Sequence, residues 1–596
     1  MVMRQMALSI WNSLWSQHKK TKDALNVFSF RKPSDKGFNK VKESYDQERI
    51  IQAKGETDSN SAQNASTEKE TPPIQNSEGG SNNKRNEPEP EIKKPYTRAQ
   101  VVGLFLGPAL FILTLLFFHP EGLSTEAKSV LAVTLWIAVW WITEALPIPA
   151  TSLLPLVLLP ITGAMSGSDV ASSYGNDIIF LFLGGFFIAT AMEKWNLHKR
   201  MALFIIAMIG TSTQRILLGF MVATGFLSMW VSNTAAVMMM IPMGLAITVQ
   251  VASAIKNTPQ ESELPKFEKA LIFGIGYAGT IGGLGTLIGT PPNIILAAQM
   301  DELFGIKISF AQWMIFAAPV VILMLFITWI YLGRYKFSTS IQQLPGGREL
   351  IQSERRALGQ TSFEEKSVGA VFVFAAFMWI TREFFWVEDG LFFEIPGISD
   401  GMIAIMAAAL LFTIPAKAKS SLRILNWNDS KTIPWGVLLL FGGGLAIAAG
   451  FRTTGLSDWM GEQLTVLDGL SLVVIIACAT LLIMAMTEIT SNTATATMIL
   501  PVVGALAIAL NIHPFALMVP CAMAANCAFM LPVGTPPNAI IFGTGKLKII
   551  EMVRAGFAVN VVATIIIILA VYYLLPLVFG IDLNHLPANL SNSIEG

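Results

Sequence analysis

Long apolar runs without a charged residue constrain the fold of this chain more than any other feature. The run Val101–Phe118 contains no Asp, Glu, Lys or Arg, and many runs of about 15 to 30 apolar residues follow it, separated by Gly and Pro. Of the 596 residues, 53% are hydrophobic and only 14% are charged. A soluble helical protein needs charged helix faces, and a transmembrane β-barrel shows short alternating segments. The chain is therefore predicted to be an all-α polytopic membrane protein.

The apolar runs predict eleven transmembrane helices and two re-entrant hairpins. The predicted spans lie near residues 101–118, 129–147, 150–164, 178–193, 270–299, 313–333, 367–388, 402–415, 434–450, 515–545 and 555–579. Two further apolar stretches, 203–250 and 470–510, are each interrupted near the middle by Ser-Asn-Thr. Small polar residues at membrane depth are tolerated only where they face protein or water. Each of these stretches is therefore expected to enter and leave the membrane on the same side.

Two short motifs occur twice in the same order. Ser-Asn-Thr at Ser232–Thr234 precedes Thr-Pro-Pro-Asn at Thr290–Asn293, and the second copies lie at Ser491–Thr493 and Thr535–Asn538. The offsets are similar, because 491 − 232 is 259 and 535 − 290 is 245. Five predicted crossings, an odd number, separate equivalent points of the two copies. The chain is therefore expected to contain two inverted repeats.

Charge and polarity divide the chain into five parts: a polar tail predicted to be disordered (1–95), a first membrane half (96–335), a linker (336–366), a second membrane half (367–580) and a C-terminal tail (581–596). The segment Met1–Trp15 is either solvated or a short amphipathic helix on the membrane surface. Basic residues precede the first span and fill the linker. These residues predict a cytoplasmic N-terminus and linker, an extracellular C-terminus and a location in the cell membrane.

Charge and cysteine usage exclude several functions. The formal net charge is zero, so no basic field indicates a nucleic-acid partner. The three cysteines, Cys478, Cys521 and Cys527, lie in apolar segments, which argues against a disulfide framework and a metal site. The sequence contains no nucleophile and base arrangement and no phosphate-binding glycine loop with its lysine. An enzyme is therefore not expected.

The Ser-Asn-Thr motifs are suited to bind sodium. A hard cation prefers several oxygen ligands, and Asn233 and Asn492 supply amide oxygens without a negative charge. Ser228 and Thr487 each lie four residues before the serine of the motif, on the same helix face. Asn233 and Asn492 are predicted centres of two cation sites, with Ser228 and Thr487 as further ligands.

The Thr-Pro-Pro-Asn motifs are suited to bind an anion beside those cations. The Gly-rich run Gly274–Gly289 and the prolines after it predict a break in a regular helix. Half-helices that begin at such breaks direct their positive ends inward. Hydroxyl donors are added by four threonines, Thr234, Thr290, Thr493 and Thr535. Two such groups of donors predict a divalent anion. Its binding affinity is expected to depend on the bound cations.

Two carboxylates near the apolar segments have less certain roles. An acid within the membrane is a functional candidate by default, for example as a proton carrier. Glu144 precedes Leu146–Pro149 and is interpreted as a residue that ends a helix near the interface. For Glu488, a structural and a functional role both remain open.

Five segments together resemble the divalent anion/sodium symporters, a family that includes bacterial sodium-dependent dicarboxylate transporters. The resemblance spans about residues 100–580 and rests on Trp230–Thr234, Gly289–Asn293, Thr487–Thr493 and Gly534–Asn538, with support from Ile142–Pro147. It implies a homodimer in which each protomer moves a transport domain like an elevator against a fixed scaffold. Family members carry Ala at the position of Thr490, so this chain has an additional hydroxyl there.

The resemblance also implies site residues. One sodium ion would be bound around Ser228, Ser232, Asn233 and Gly289, and the other around Thr487, Thr490, Asn492 and Gly534. The substrate carboxylates would meet Asn233, Thr234, Ser491, Asn492, Thr493, Thr535 and Pro536, with Thr290 nearby. Exchangers of the family lose sodium ligands, and none is lost here, so symport is favoured.

The resulting hypothesis is sodium-coupled symport of C4-dicarboxylates such as succinate, malate and fumarate into the cell. The expected partners are sodium, a divalent anion, the lipid bilayer and a second copy of the chain. The alternatives are a sodium-coupled citrate or sulfate transporter and a proton-driven anion carrier in which Glu488 titrates. A membrane-embedded enzyme and a channel are less consistent with paired deep binding sites.

Overall fold

The computed structural model describes residues 96–210, 212–341, 347–386, 395–418, 422–463, 471–587 and Leu590. The predicted tail 1–95 and its candidate membrane-surface helix lie outside these residues. The described part of the chain is almost entirely helical and contains no β-strand; an isolated bridge pairs Pro415 with Arg423.

Twelve helices build the first half of the described chain. They are α1 Arg98–Phe117, α2 Thr125–Thr143, α3 Ile148–Thr151, α4 Pro155–Ile161, α5 Gly167–Ser172, α6 Asp177–Lys194, α7 Leu197–Ile209, α8 Thr213–Ser228, α9 Asn233–Ala254, α10 Leu264–Gly282, α11 Pro291–Phe304 and α12 Phe310–Ile330. A π-helical segment, Tyr331–Lys336, extends α12.

Eleven helices follow in the linker and the second half of the described chain. They are α13 Gly347–Ala357, α14 Phe363–Phe385, α15 Asp400–Thr413, α16 Trp435–Thr453, α17 Leu456–Gln463, α18 Leu472–Thr487, α19 Asn492–Ala509, α20 Phe515–Asn526, α21 Pro536–Gly543, α22 Ile549–Leu569 and α23 Leu575–Phe579. The linker, which is charged in sequence, thus contains the helix α13.

These helices confirm a polytopic membrane protein. Nine helical segments of the described chain are long and apolar enough to cross a membrane, and four shorter apolar helices accompany them. Both apolar stretches interrupted by Ser-Asn-Thr form helix pairs, α8 with α9 and α18 with α19. Both segments before Thr-Pro-Pro-Asn form broken helices, α10 followed by α11 and α20 followed by α21.

The two repeats interlock through their broken helices. The first helix of each broken pair packs on its own hairpin, α10 on α8 and α9, and α20 on α18 and α19. The second helix packs on the hairpin of the other repeat, so that α11 contacts α19 and α21 contacts α9. This exchange places the four motif segments in one region.

The glycine run Gly274–Gly289 breaks its helix in its second half. Regular helix continues through α10 to Gly282, and the break begins only at Gly283. The predicted break therefore lies in the second half of the run, and the first half is regular helix. Its physical reason is close packing: a Cβ on Gly282 would lie only 2.2 Å from the carbonyl oxygen of Gly225 in α8. Small residues let membrane helices approach this closely.

Candidate sodium and anion site

A cluster of three oxygens lies at the tip of the first hairpin. The Ser228 Oγ lies 2.6 Å from the Asn233 Oδ1 and 2.6 Å from the carbonyl oxygen of Gly279. Ser228 ends α8, Asn233 begins α9, and Gly279 lies in α10. The hairpin tip therefore meets the helix that leads into the break.

The second hairpin repeats this cluster. The Thr487 Oγ1 lies 2.6 Å from the Asn492 Oδ1 and 2.6 Å from the carbonyl oxygen of Ala525. Thr487 ends α18, Asn492 begins α19, and Ala525 lies in the last turn of α20. The same three types of oxygen thus meet in both repeats.

Each cluster contains two acceptor oxygens but only one hydroxyl proton to share between them. A Ser or Thr hydroxyl carries one proton, and here two acceptors compete for it at equal distances. One acceptor in each cluster therefore lacks that donor. A cation satisfies three oxygens together, so both clusters have the chemistry of a hard cation site.

Asn293 and Asn538, the last residues of the Thr-Pro-Pro-Asn motifs, hold the unwound segments in place. The Nδ2 of Asn293 donates to the carbonyl oxygens of Gly283, Leu284 and Thr286 over 2.8 to 3.2 Å. The Nδ2 of Asn538 donates in the same way to the carbonyl oxygens of Ala528 and Leu531 over 2.9 and 3.0 Å. The Oδ1 atoms of both asparagines are buried and accept no hydrogen bond within the described chain.

Glycines bring the unwound segments against the two oxygen clusters. A Cβ on Gly283 would lie 2.4 Å from the Asn233 Oδ1, and one on Gly289 would lie 2.5 Å from the carbonyl oxygen of Gly283. A Cβ on Gly534 would lie 3.3 Å from the carbonyl oxygen of Thr487. Predicted ligands Gly289 and Gly534 thus lie beside their respective clusters.

Equivalent hydroxyls of the two repeats are used differently. Ser232 caps α9 by accepting from the amide of Ala235, whereas the Ser491 side chain makes no such bond to α19. Thr535 accepts from the amide of Asn538 and caps α21. Thr290 instead donates to the Asn526 Oδ1 over 2.7 Å. The two repeats therefore differ in the polar groups that their motifs leave free of capping bonds.

The remaining predicted residues lie around the same tips. Thr234 and Thr493, each in the first turn of its helix, are half-buried, and Pro536 is exposed. The Thr490 Oγ1 donates to the carbonyl oxygen of Met486 over 2.7 Å and lies 2.6 Å from the Thr495 Oγ1. The additional hydroxyl of this chain therefore has two partners within its own hairpin.

Glu488 directly follows the cluster residue Thr487 and bonds the backbone where the helix between α20 and α21 is broken. Its carboxylate accepts from the amides of Phe529, Met530 and Leu531, over 2.9 to 3.1 Å. The Asn560 Nδ2 donates to it over 2.8 Å. Glu144, in contrast, is exposed and ends α2 in a left-handed conformation. The Glu488 carboxylate thus accepts hydrogen bonds from three backbone amides and one side-chain amide, and these bonds hold the unwound backbone in place.

Asn526 was missed by the reasoning from sequence. It is completely buried, and its amide bonds both Thr280 and Thr290 of the first repeat. No local sequence signal marks it, because its partners Thr280 and Thr290 lie 246 and 236 positions away along the chain.

The family model for the sodium:sulfate symporter transmembrane region matches residues 98–579. The chain belongs to this family. The sodium-dependent dicarboxylate transporter SdcS of Staphylococcus saprophyticus is 57% identical over 491 residues, which are 82% of this chain and 94% of that protein. SdcS of Staphylococcus aureus strain bovine RF122 is 57% identical over 494 residues, 83% of this chain and 94% of that protein. The solved structure of Neisseria gonorrhoeae MtrF aligns at a TM-score of 0.48 and 12% identity, over 80% of this chain and 96% of that chain.

Membership of the sodium:sulfate symporter family makes this chain a sodium-dependent membrane transporter and not an enzyme. The resemblance that the motifs carry in the sequence is thereby confirmed. Sodium is the co-transported ion, and the two oxygen clusters offer the ligands it prefers.

Proposed function

We propose that this chain is a symporter that uses the sodium gradient to carry C4-dicarboxylates such as succinate, malate and fumarate into the cell. The observation that carries the proposal is the pair of equivalent oxygen clusters, each short of a proton and each beside a helix N-terminus. Two relatives, both SdcS, are named as sodium-dependent dicarboxylate transporters, and this chain spans 94% of their length.

One sodium ion is assigned to each cluster. The first binds Ser228, Asn233 and the carbonyl oxygen of Gly279, with Ser232 and Gly289 beside them. The second binds Thr487, Asn492 and the carbonyl oxygen of Ala525, with Thr490 and Gly534 beside them. These oxygens carry no formal charge, so sodium brings a positive charge to both clusters.

The dicarboxylate binds between the two clusters. Four helices begin at the motifs, α9, α11, α19 and α21, and their dipoles favour an anion; α11 and α21 begin with two prolines, which have no amide N–H, so any free first-turn amides belong to α9 and α19. The proposed ligands are Asn233, Thr234, Thr290, Ser491, Asn492, Thr493, Thr535 and Pro536. Because none of them is Lys or Arg, the bound sodium ions supply the neutralising charge, and substrate affinity depends on sodium.

The packing of α11 and α21 supports a conformation in which the proposed binding site is open toward the cytoplasm. The helix α11 packs on α6 and α16 as well as on α19 and α20, whereas α21 packs on α9 and α10. Near α21, the apolar tip residues Ile489 and Val533 are 65% and 70% exposed. Lys546 and Lys548 follow the C-terminal end of α21. Because basic residues mark cytoplasmic loops, this end of α21 is assigned to the cytoplasm.

Transport then requires the hairpins and broken helices to move relative to the other helices. In the proposed elevator mechanism, α8–α12 and α18–α22 carry the site as one body, and the remaining membrane helices form the scaffold of a homodimer. This proposal rests on the family resemblance and on the interlocking of the two repeats.

Uptake of labelled succinate into proteoliposomes tests the proposed function. Uptake is expected with an inward sodium gradient and is expected to disappear when choline replaces sodium. Unlabelled malate and fumarate should compete, whereas stronger competition by citrate or sulfate would assign the site to those anions. Equal uptake in sodium and in choline would refute sodium coupling.

A further inference from the structure

The buried amide of Asn526 joins the two repeats at the centre of the site. Asn526 has a relative exposure of 0%. Its Nδ2 donates to the carbonyl oxygen of Thr280 over 2.7 Å, and its Oδ1 accepts from the Thr290 hydroxyl over 2.7 Å. Both partners belong to the first repeat, while Asn526 ends α20 of the second.

The bond between Asn526 and Thr280 connects equivalent positions. Gly279 supplies the carbonyl oxygen of the first cation cluster, and Thr280 follows it directly. Ala525 supplies the carbonyl oxygen of the second cluster, and Asn526 follows it directly. The carbonyl groups of Gly279 and Ala525 therefore each belong to the residue just before one partner of the hydrogen bond between Asn526 and Thr280.

Asn526 also contacts the residues proposed to bind the anion. Thr290, which donates to its side chain, is the N-cap residue of α11. The Asn492 Nδ2 donates to the backbone oxygen of Asn526 over 3.5 Å. One residue thus links the first cluster, the second cluster and the start of α11.

The hydrogen bonds of Asn526 transmit displacement between the repeats because breaking one of them would be costly. In a buried, low-dielectric environment an unpaired amide or carbonyl group is destabilising. When a cation draws the carbonyl oxygen of Gly279 toward itself, the adjoining peptide of Thr280 shifts, and Asn526 must follow to keep its bond. The same coupling acts in the opposite direction, from Ala525 to Gly279.

We infer that Asn526 is the positioning residue that couples the two cation clusters to each other and, through Thr290, to the anion site. The inference rests on the proposed function, because it takes both clusters as sodium sites. It assigns no ligand atom to the Asn526 side chain. Sodium bound at one cluster orders the other, and the dicarboxylate strengthens sodium binding by holding Thr290.

The test measures binding of labelled sodium ions to the purified full-length protein, first without succinate, at increasing sodium concentrations. The unchanged protein should show a Hill coefficient for sodium near 2, since two sites are coupled. Asn526→Ala should lower it to about 1 and raise the half-saturating sodium concentration roughly tenfold, within the usual range of coupling between sites. Retained cooperativity in a folded Asn526→Ala protein would overturn the inference.

Gln299→Ala is the matched control. Gln299 is also completely buried, and its Nε2 donates to the carbonyl oxygen of Thr497 over 3.2 Å, a bond that involves no residue of either cluster. This variant should lose a similar amount of thermal stability and keep the sodium cooperativity. An equal loss of cooperativity in Gln299→Ala would show a general effect of destabilisation and would overturn the role of Asn526.

Thr290→Val keeps the inference testable if Asn526→Ala does not fold. Valine has nearly the same shape but donates no proton to the Asn526 Oδ1. Raising the succinate concentration should lower the half-saturating sodium concentration in the unchanged protein, and this shift should vanish in Thr290→Val. A full shift in Thr290→Val would contradict the inference. If the unchanged protein bound succinate without sodium, the proposed function itself would fail.

Discussion

The Ser228 Oγ and the Asn233 Oδ1 lie 2.6 Å apart across the tip of the first hairpin, and the carbonyl oxygen of Gly279 lies 2.6 Å from the same hydroxyl. One proton serves these three oxygens. Thr487, Asn492 and Ala525 repeat the arrangement in the second hairpin. A sodium ion in each cluster would satisfy the oxygens that a single proton leaves in competition.

Ser228→Ala is expected to weaken sodium binding at the first cluster. The variant removes one of three oxygens, and a contact to a charged group contributes about 1.5 to 3 kcal/mol. The sodium concentration for half-maximal succinate uptake should rise by about tenfold or more. Thr224→Val is the matched control, because Thr224 lies one turn earlier in α8 and bonds the carbonyl oxygen of Phe220. An equal effect in both variants would contradict the assignment.

Gly283→Ala is expected to disrupt the first cluster through shape alone. A Cβ at this position would lie 2.4 Å from the Asn233 Oδ1, so the asparagine must move. Sodium-dependent uptake should fall strongly while the purified protein remains folded. Gly543→Ala in α21, where a Cβ meets nothing within 4 Å, should retain uptake. Normal uptake by Gly283→Ala would show that Asn233 does not need its observed position.

Thr490→Ala is expected to leave sodium affinity nearly unchanged. The Thr490 hydroxyl already bonds Met486 and Thr495, so any ligand from this residue is its backbone carbonyl. The variant should lose about 1 kcal/mol of stability, typical of one hydrogen bond, measured by thermal unfolding. A rise in half-saturating sodium as large as that of Ser228→Ala would instead make the hydroxyl a ligand.

Glu488→Gln is expected to destabilise the protein without revealing proton coupling. A glutamine directs an NH2 group at backbone amides that need an acceptor, and the loss should be about 2 kcal/mol. Glu144→Gln, at an exposed helix end, should leave the unfolding temperature unchanged. Succinate uptake driven by a proton gradient without sodium, and lost in Glu488→Gln, would identify a proton carrier instead.

Local signals were sufficient to predict the elements that carry the site. A polar tripeptide within apolar sequence placed the hairpin tips at Asn233 and Asn492, and paired prolines placed the starts of α11 and α21. The four-residue spacing from Ser228 to Ser232 predicted a shared helix face, and this reasoning was wrong, because Ser228 ends α8 and Ser232 is the N-cap residue of α9. The tripeptide and the paired prolines were informative because proline geometry acts over a few residues, and small polar residues at membrane depth are tolerated only in special places.

The contacts between the repeats were not predictable in this way. Asn526 meets residues 246 and 236 positions away, and no local pattern encodes that meeting. Thr290 and Thr535 have the same motif around them, yet one donates to Asn526 and the other caps its own helix. The difference arises from tertiary packing, which brings unlike neighbours to like sequences.

Equilibrium binding of labelled succinate to the purified protein, with sodium or choline as the cation, tests the central claim most directly. The unchanged protein should bind succinate in sodium and not in choline, and the double variant Ser228→Ala with Thr487→Val should bind in neither. Thr224→Val with Thr480→Val, which alters hydroxyls that bond the carbonyl oxygens of their own helices, should bind like the unchanged protein. Equal binding in sodium and choline, or sodium-dependent binding by Ser228→Ala with Thr487→Val at unchanged affinity, would contradict the claim that the two clusters are the sodium sites.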